Sequence, residues 1–200
     1  MVVDDCMLYR NIYDIFHPSI SRKNISDYKI IVNDNLIPVR IFYPDKEAKL
    51  DKIIIYIHGN KINYQVYSDI AKKTSSVVIY LEYKNTSKKD DCYNMIRYIL
   101  KEIKDKKIDL KETLLMGDFI DEDLFSSFKE LKDVKKLLIE PNFLVDNKYM
   151  DVVVIKDSVD NIETCKNILL FDERVSDFIL NNNLMLNEKI YQVINNMVGG

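Results

Sequence analysis

Glycine is scarce in this chain: there are 4 in 200 residues, and two of them are the terminal Gly199 and Gly200. Every internal need for a backbone without a Cβ therefore falls to Gly59 and Gly117. Cysteine is thin as well, because Cys6, Cys92 and Cys165 are too few and too scattered for a disulfide scaffold or a zinc site. Histidine occurs only as His17 and His58, which limits any imidazole chemistry to two positions. No apolar run approaches the roughly 18 residues of a spanning helix, so no membrane span is expected. The opening Met1-Val2-Val3-Asp4-Asp5 carries acids where a secretory signal carries positive charge, and a soluble cytoplasmic protein is expected. An excess of one charge is lacking too. The 29 basic and 32 acidic side chains leave a net −3, without the concentrated basic face of a dedicated nucleic-acid binder.

What is present is a hydrophobic share of 47%, enough for a full core and, over residues 1–200, a single domain. Ile30-Ile31-Val32 and Val39-Arg40-Ile41-Phe42-Tyr43 flank the turn-forming Asn33-Asp34-Asn35 and read as a hairpin closed by Pro44. Residues 53–57 and 77–81 are continuous apolar runs, the pattern of strands buried on both faces. Helices are predicted over 64–73 and 90–104, the second with Cys92, Met95, Ile96, Ile99, Leu100 and Ile103 at helical spacing. Short strands follow at 113–116, 136–139, 152–155 and 167–171, with helices over 124–132 and 184–198. This alternation predicts an α/β fold, a mostly parallel central sheet with helices on both faces. Its core should span 30–198, after an extension of residues 1–29 that is helical over about 5–16.

Open parallel sheets bind ligands beyond the carboxyl ends of their strands. Those ends here carry His58-Gly59, Glu82, Gly117-Asp118, Glu140, Asp157 and Asp160, so both internal glycines are in the set. Gly117 is expected where the chain leaves its strand in a sharp turn. A few carboxylates with waters could hold a hard cation. Each acid equally suits a loop or the cap of a following helix, and neither a metal nor another cofactor is expected. His58 reads as a structural histidine at a strand end, and Cys92 and Cys165 as small buried apolar residues. The 13 tyrosines should mostly pack with their hydroxyls in water.

In this order the residues resemble an α/β hydrolase, closest to the hormone-sensitive-lipase-type esterases. Leu36-Ile37-Pro38-Val39-Arg40-Ile41-Phe42-Tyr43-Pro44 is similar to that family's opening strands. Ile54-Ile55-Tyr56-Ile57-His58-Gly59-Asn60 resembles its His-Gly-Gly oxyanion segment, and Val77 to Tyr83 the strand that ends in Asp-Tyr-Arg. Leu115-Met116-Gly117-Asp118 leads toward the nucleophile elbow, and Val152 to Asp160 looks like the strand and turn that carry the acid. The resemblance implies a hydrolase-like sheet with no sizeable lid.

The departures fall on the chemistry. Where the family's elbow reads Gly-Asp-Ser-Ala-Gly, this chain has Gly117-Asp118-Phe119-Ile120-Asp121, so the nucleophile position holds Phe119. The family's acid falls on Asp160, and its base on Ser176, which cannot act as a base near neutral pH. Acyl transfer on this fold needs a nucleophile, a base and an orienting acid together. The expectation is therefore a catalytically degenerate, esterase-like pseudoenzyme that binds a protein partner or a small molecule, with a vestigial cleft at His58, Gly59, Asn60, Gly117, Asp118, Phe119 and Ile120. The alternative is an active hydrolase of small esters that uses residues off the family positions.

Overall fold

The computed structural model describes residues 15, 24–32, 35–58, 64–82, 89–118, 124, 126, 128, 131, 134–139, 152–156, 168–171 and 188–199. Strands β1 (Ile25–Val32) and β2 (Asn35–Phe42) form an antiparallel hairpin in which Val32 faces Asn35 and Ile25 faces Phe42. The expected boundary at residue 30 thus falls inside a strand. The cause is local. Ser26, Asp27 and Lys29 interrupt the apolar signal, while Tyr28 and Ile30 are the positions that turn to the core. Of the expected amino-terminal helix, Ile15 alone is described; it is helical and fully buried.

The chain continues through β3 (Lys52–His58), α1 (Tyr64–Thr74), β4 (Val77–Glu82), α2 (Lys89–Asp105) and β5 (Glu112–Asp118). It ends through β6 (Lys135–Ile139), β7 (Val152–Lys156), β8 (Ile168–Phe171) and α3 (Glu188–Met197). All the strands join one eight-stranded sheet in the order β1-β2-β4-β3-β5-β6-β7-β8. The β1–β2 and β2–β4 pairs are antiparallel and the others parallel, so the sheet is α/β-hydrolase-like, as the resemblance implied. Among the described residues no element lies outside the sheet and the helices that cover it, and no helix is long and apolar enough to cross a membrane.

Two apolar clusters sandwich the sheet. On one face, Cys92, Met95, Ile96 and Ile99 of α2 pack over Ile53, Ile55 and Ile57 of β3 and their neighbours, together with Leu124 and Phe128. On the other, Val66, Tyr67, Ile70 and Ala71 of α1 join Tyr191, Ile194 and Met197 of α3 over Ile54 and Tyr56. Tyrosine departs from expectation, because the hydroxyl oxygens of Tyr56, Tyr67, Tyr80 and Tyr191 are buried rather than wet. They lie on the α1/α3 face, where ring packs on ring: Tyr67 is 4.7 Å from Tyr56 and 4.7 Å from Tyr80, centroid to centroid. Edge and tilted contacts of this kind add to what area burial alone supplies. Helix α3 stops where Gly199 takes the left-handed φ of 72°, a conformation suited to glycine at a helix end.

The entrances of β3 and β5 are tied together at the amino edge of the sheet. The Lys111 amide donates to the Asp51 carbonyl at 2.7 Å, and its ammonium lies 2.9 Å from the Asp51 carboxylate. The hydrogen bond from Lys111 holds the Asp51 carboxyl below its ordinary pKa, so the pair contributes stability above the unfolded value of about 3.9 and loses it as pH falls through the folded one. Lys111 is largely exposed, which limits the pair to about 1 kcal/mol or less. Urea titrations should show Asp51→Asn less stable than the wild type at neutral pH, with the difference vanishing in strong acid; a difference that persists there would mean the contribution is not electrostatic.

Cys92 sits on α2 within the core, 2% exposed, and burial pushes its thiol up to about 12. The reactive thiolate is therefore essentially absent at pH 8. With Cys6 and Cys165 replaced by serine, Cys92 should stay unmodified by a disulfide reagent in the native protein and react stoichiometrically in denaturant. Fast native labelling would contradict its place in the core.

Candidate functional site

Strand β3 runs between β4 and β5, parallel to both. The register sets His58 level with Glu82 on one side and with Asp118 on the other. Neighbouring strands are about 4.8 Å apart, so an imidazole-bearing residue and two carboxylate-bearing residues form one short row at the carboxyl edge. The chain order of these residues gives no hint of the row, because β4 lies beside β3 on one side and β5 on the other.

One pleat below that row lies another, made of Tyr80, Tyr56 and Met116, all buried. Tyr67 of α1 closes over Tyr56 and Tyr80, and Tyr64, the first residue of α1, meets Tyr80 edge-on at 6.2 Å. Arg40 of β2 lies with its guanidinium 3.9 Å from the Tyr64 ring centroid, within cation–π range. It also donates from Nη2 to Asp27 at 2.9 Å, and this bond to a carboxylate holds the guanidinium above its ordinary pKa. The carboxyl edge on the α1 side thus rests on a dry aromatic layer with a fixed cation at its margin. Sequence reasoning took these tyrosines as scattered packing residues. Their shared parity on β3 and β4 was the available signal, and it acquires meaning once the two strands are known to be neighbours.

Gly117 is the next-to-last residue of β5, buried and paired in register with Ile57 and Leu138, and the sharp turn expected after it falls outside the described residues. The strand continues through Asp118 because parallel pairing with β6 extends to the Asp118–Ile139 pair. Of the candidate residues, the structure thus brings together His58, Gly117 and Asp118. Gly59, Asn60, Phe119, Ile120, Asp160 and Ser176 lie outside the described residues, as do Asp121, Glu140 and Asp157. Among the described residues no group of three or more His, Cys, Asp or Glu side chains could hold a metal ion.

No family model and no curated protein matches the sequence. Solved structures do. The esterase of Pyrobaculum calidifontis is 17% identical over 65% of this chain and 48% of its own, with a TM-score of 0.48. EstE1, a thermophilic carboxylesterase cloned from a metagenomic library, is 19% identical over 66% of this chain and 52% of its own, also with a TM-score of 0.48. An arylesterase structure is 14% identical over 64% of this chain, with a TM-score of 0.46. The chain spans about half the length of the structures it is similar to.

Proposed function

We propose that this chain is a hydrolase-fold protein that binds its ligand without turning it over, the ligand being a small molecule or a protein surface and not a nucleic acid. One covalent constraint carries the reading. Asp118 ends β5 level with His58. Residue 119 is a single Cα step beyond it, about 3.8 Å, and that residue is Phe119. A benzyl group has no atom able to attack a carbonyl, and Ser176 at the family's base position has none to take a proton at neutral pH. The Asp160 carboxyl would persist as a turn or cap residue. Loss of the nucleophile or base typically removes about 10⁶ in rate, which leaves an oxyanion site with nothing to stabilise.

The second reading is an active hydrolase of small esters, the kind of activity for which the similar solved structures are named. One observation in this chain favours it: the register row that sets His58 between Glu82 and Asp118, an acid–base residue at the edge where such sheets bind ligands. The one cysteine among the described residues, Cys92, adds no nucleophile to this reading, since it is in the core.

The two readings separate on turnover of aryl esters and labelling by a serine-directed fluorophosphonate. Binding without turnover predicts hydrolysis at the uncatalysed rate and no stoichiometric label, and Phe119→Ser should gain no activity because no base stands at the family position. Turnover that His58→Ala abolishes would establish the second reading in place of the first.

A further inference from the structure

Strand β1 ends the strand order, and no described strand lies beyond it. An edge strand presents a row of backbone donors and acceptors to any strand that can match it. A single bond tells which residues supply that row. The Tyr43 amide donates to the Asn24 carbonyl at 2.9 Å, which makes this opposed pair a hydrogen-bonded one. Hydrogen-bonded and non-bonded pairs alternate along an antiparallel ladder, so the even-numbered residues of β1 bond to β2. Pro38 agrees: it faces Lys29, a position of the non-bonded class, where its missing amide costs the hairpin nothing. The amides and carbonyls of Ile25, Asp27, Lys29 and Ile31 are therefore directed at the outer edge.

The side chains of Ile25, Asp27 and Lys29 occupy the face opposite Tyr28 and Ile30, where Ile25 is 42% exposed, Asp27 is exposed and Lys29 is half-buried. Their order carries a symmetry. Asp27 and Lys29 stand one residue to either side of Tyr28, with opposite charges. We propose that β1 pairs antiparallel with β1 of a second copy, about a two-fold axis through Tyr28. Asp27 of each copy then faces Lys29 of the other, and Ile25 faces Ile31. The two opposite-charge pairs are also the backbone-bonded ones, because Asp27 and Lys29 both direct their amides outward.

Charge selects this register over its neighbours. A pairing centred on Asp27 would oppose two aspartates, and one centred on Lys29 two lysines, and directly opposed like charges destabilise a sheet. Arg40 binds the Asp27 carboxylate through both oxygens, Nε to Oδ1 and Nη2 to Oδ2, and because an ionised carboxylate has about four lone-pair positions, each oxygen still keeps one for the incoming ammonium. Strand addition of this kind draws its affinity from main-chain bonds and its selectivity from the alternate side chains. Stable interfaces bury roughly 1,200 Å² or more, and from a contact confined to one strand a weak, concentration-dependent dimer is expected. It involves Asp27, the partner of the Arg40 cation at the margin of the carboxyl edge, but none of the His58, Glu82 and Asp118 row, and failure of one reading leaves the other standing.

Sedimentation equilibrium on the whole chain, from micromolar to millimolar, tests this. The wild type should dimerise reversibly. Lys29→Asp and Asp27→Lys, each placing like charges opposite one another, should weaken the dimer about tenfold or more. An equimolar mixture of the two should recover it as a heterodimer, because every opposed pair is again one aspartate and one lysine. This recovery also guards against variants that simply fold poorly. A chain that stays monomeric throughout, a dimer indifferent to both variants, or a mixture that associates no better than its components would overturn the proposal.

Discussion

The arrangement depends on one constraint: β3 must be paired along both of its edges and covered on both of its faces. Ile53 to Ile57 are fully buried, so their amides and carbonyls have no access to water and need partners in the ladder. Parallel pairing with β4 and with β5 supplies those partners residue by residue from Ile53 to His58. The alternation of side chains then demands apolar cover on two sides, which α2 gives on one and α1 with α3 on the other. Once those requirements are met, the level of His58 relative to Glu82 and Asp118 is no longer adjustable. A slip of one residue in either neighbour would turn a full set of buried side chains to the wrong face.

The same constraint explains what could be read from the residues alone. Continuous β-branched and aromatic runs announce doubly buried strands, and the runs at 53–57 and 77–81 are strands β3 and β4. Half-buried segments announce themselves less clearly. In β1 the residues Ser26, Asp27 and Lys29 dilute the signal, and the strand starts five residues before its apolar run, at Ile25 rather than Ile30. The strand pairing of Gly117 was hidden for a different reason. A glycine near the end of an apolar run suggests a turn, yet the turn-or-strand choice is made by the partner β6, whose register extends to Ile139. Nothing near Gly117 in the chain encodes that partner. Strand order is non-local in the same sense, so the row of His58, Glu82 and Asp118 and the aromatic layer beneath it were legible as separate residues and not as a group.

Fold and chemistry make separate demands on this sequence. The sheet is held by buried apolar surface and by backbone bonds, and neither depends on the reactivity of side chains at the carboxyl edge. A catalytic triad contributes rate and little cohesion, so its residues can be replaced while the layers persist. The buried tyrosines show the converse. Tyr56, Tyr67 and Tyr80 lie directly beneath the carboxyl edge, where they fill volume that the helix–sheet interface would otherwise leave open. Their place in the core accounts for them without any role in a reaction.

A sheet that satisfies its centre completely leaves its outermost strand unfinished. Proteins blunt such edges with charge, because a lysine or an aspartate on an edge makes indiscriminate pairing costly. In β1 the two charges have opposite signs and flank one residue, and that detail changes their effect. Two charges of the same sign would repel a second copy in every antiparallel register that opposes them. A lone charge would meet itself in the register centred on it and otherwise be indifferent. An opposite pair about Tyr28 repels a copy centred on either charge and attracts one centred between them. The feature that keeps this edge from pairing with arbitrary strands therefore leaves one self-complementary geometry open to it, at the opposite margin of the hairpin from the strands that carry His58 and Asp118.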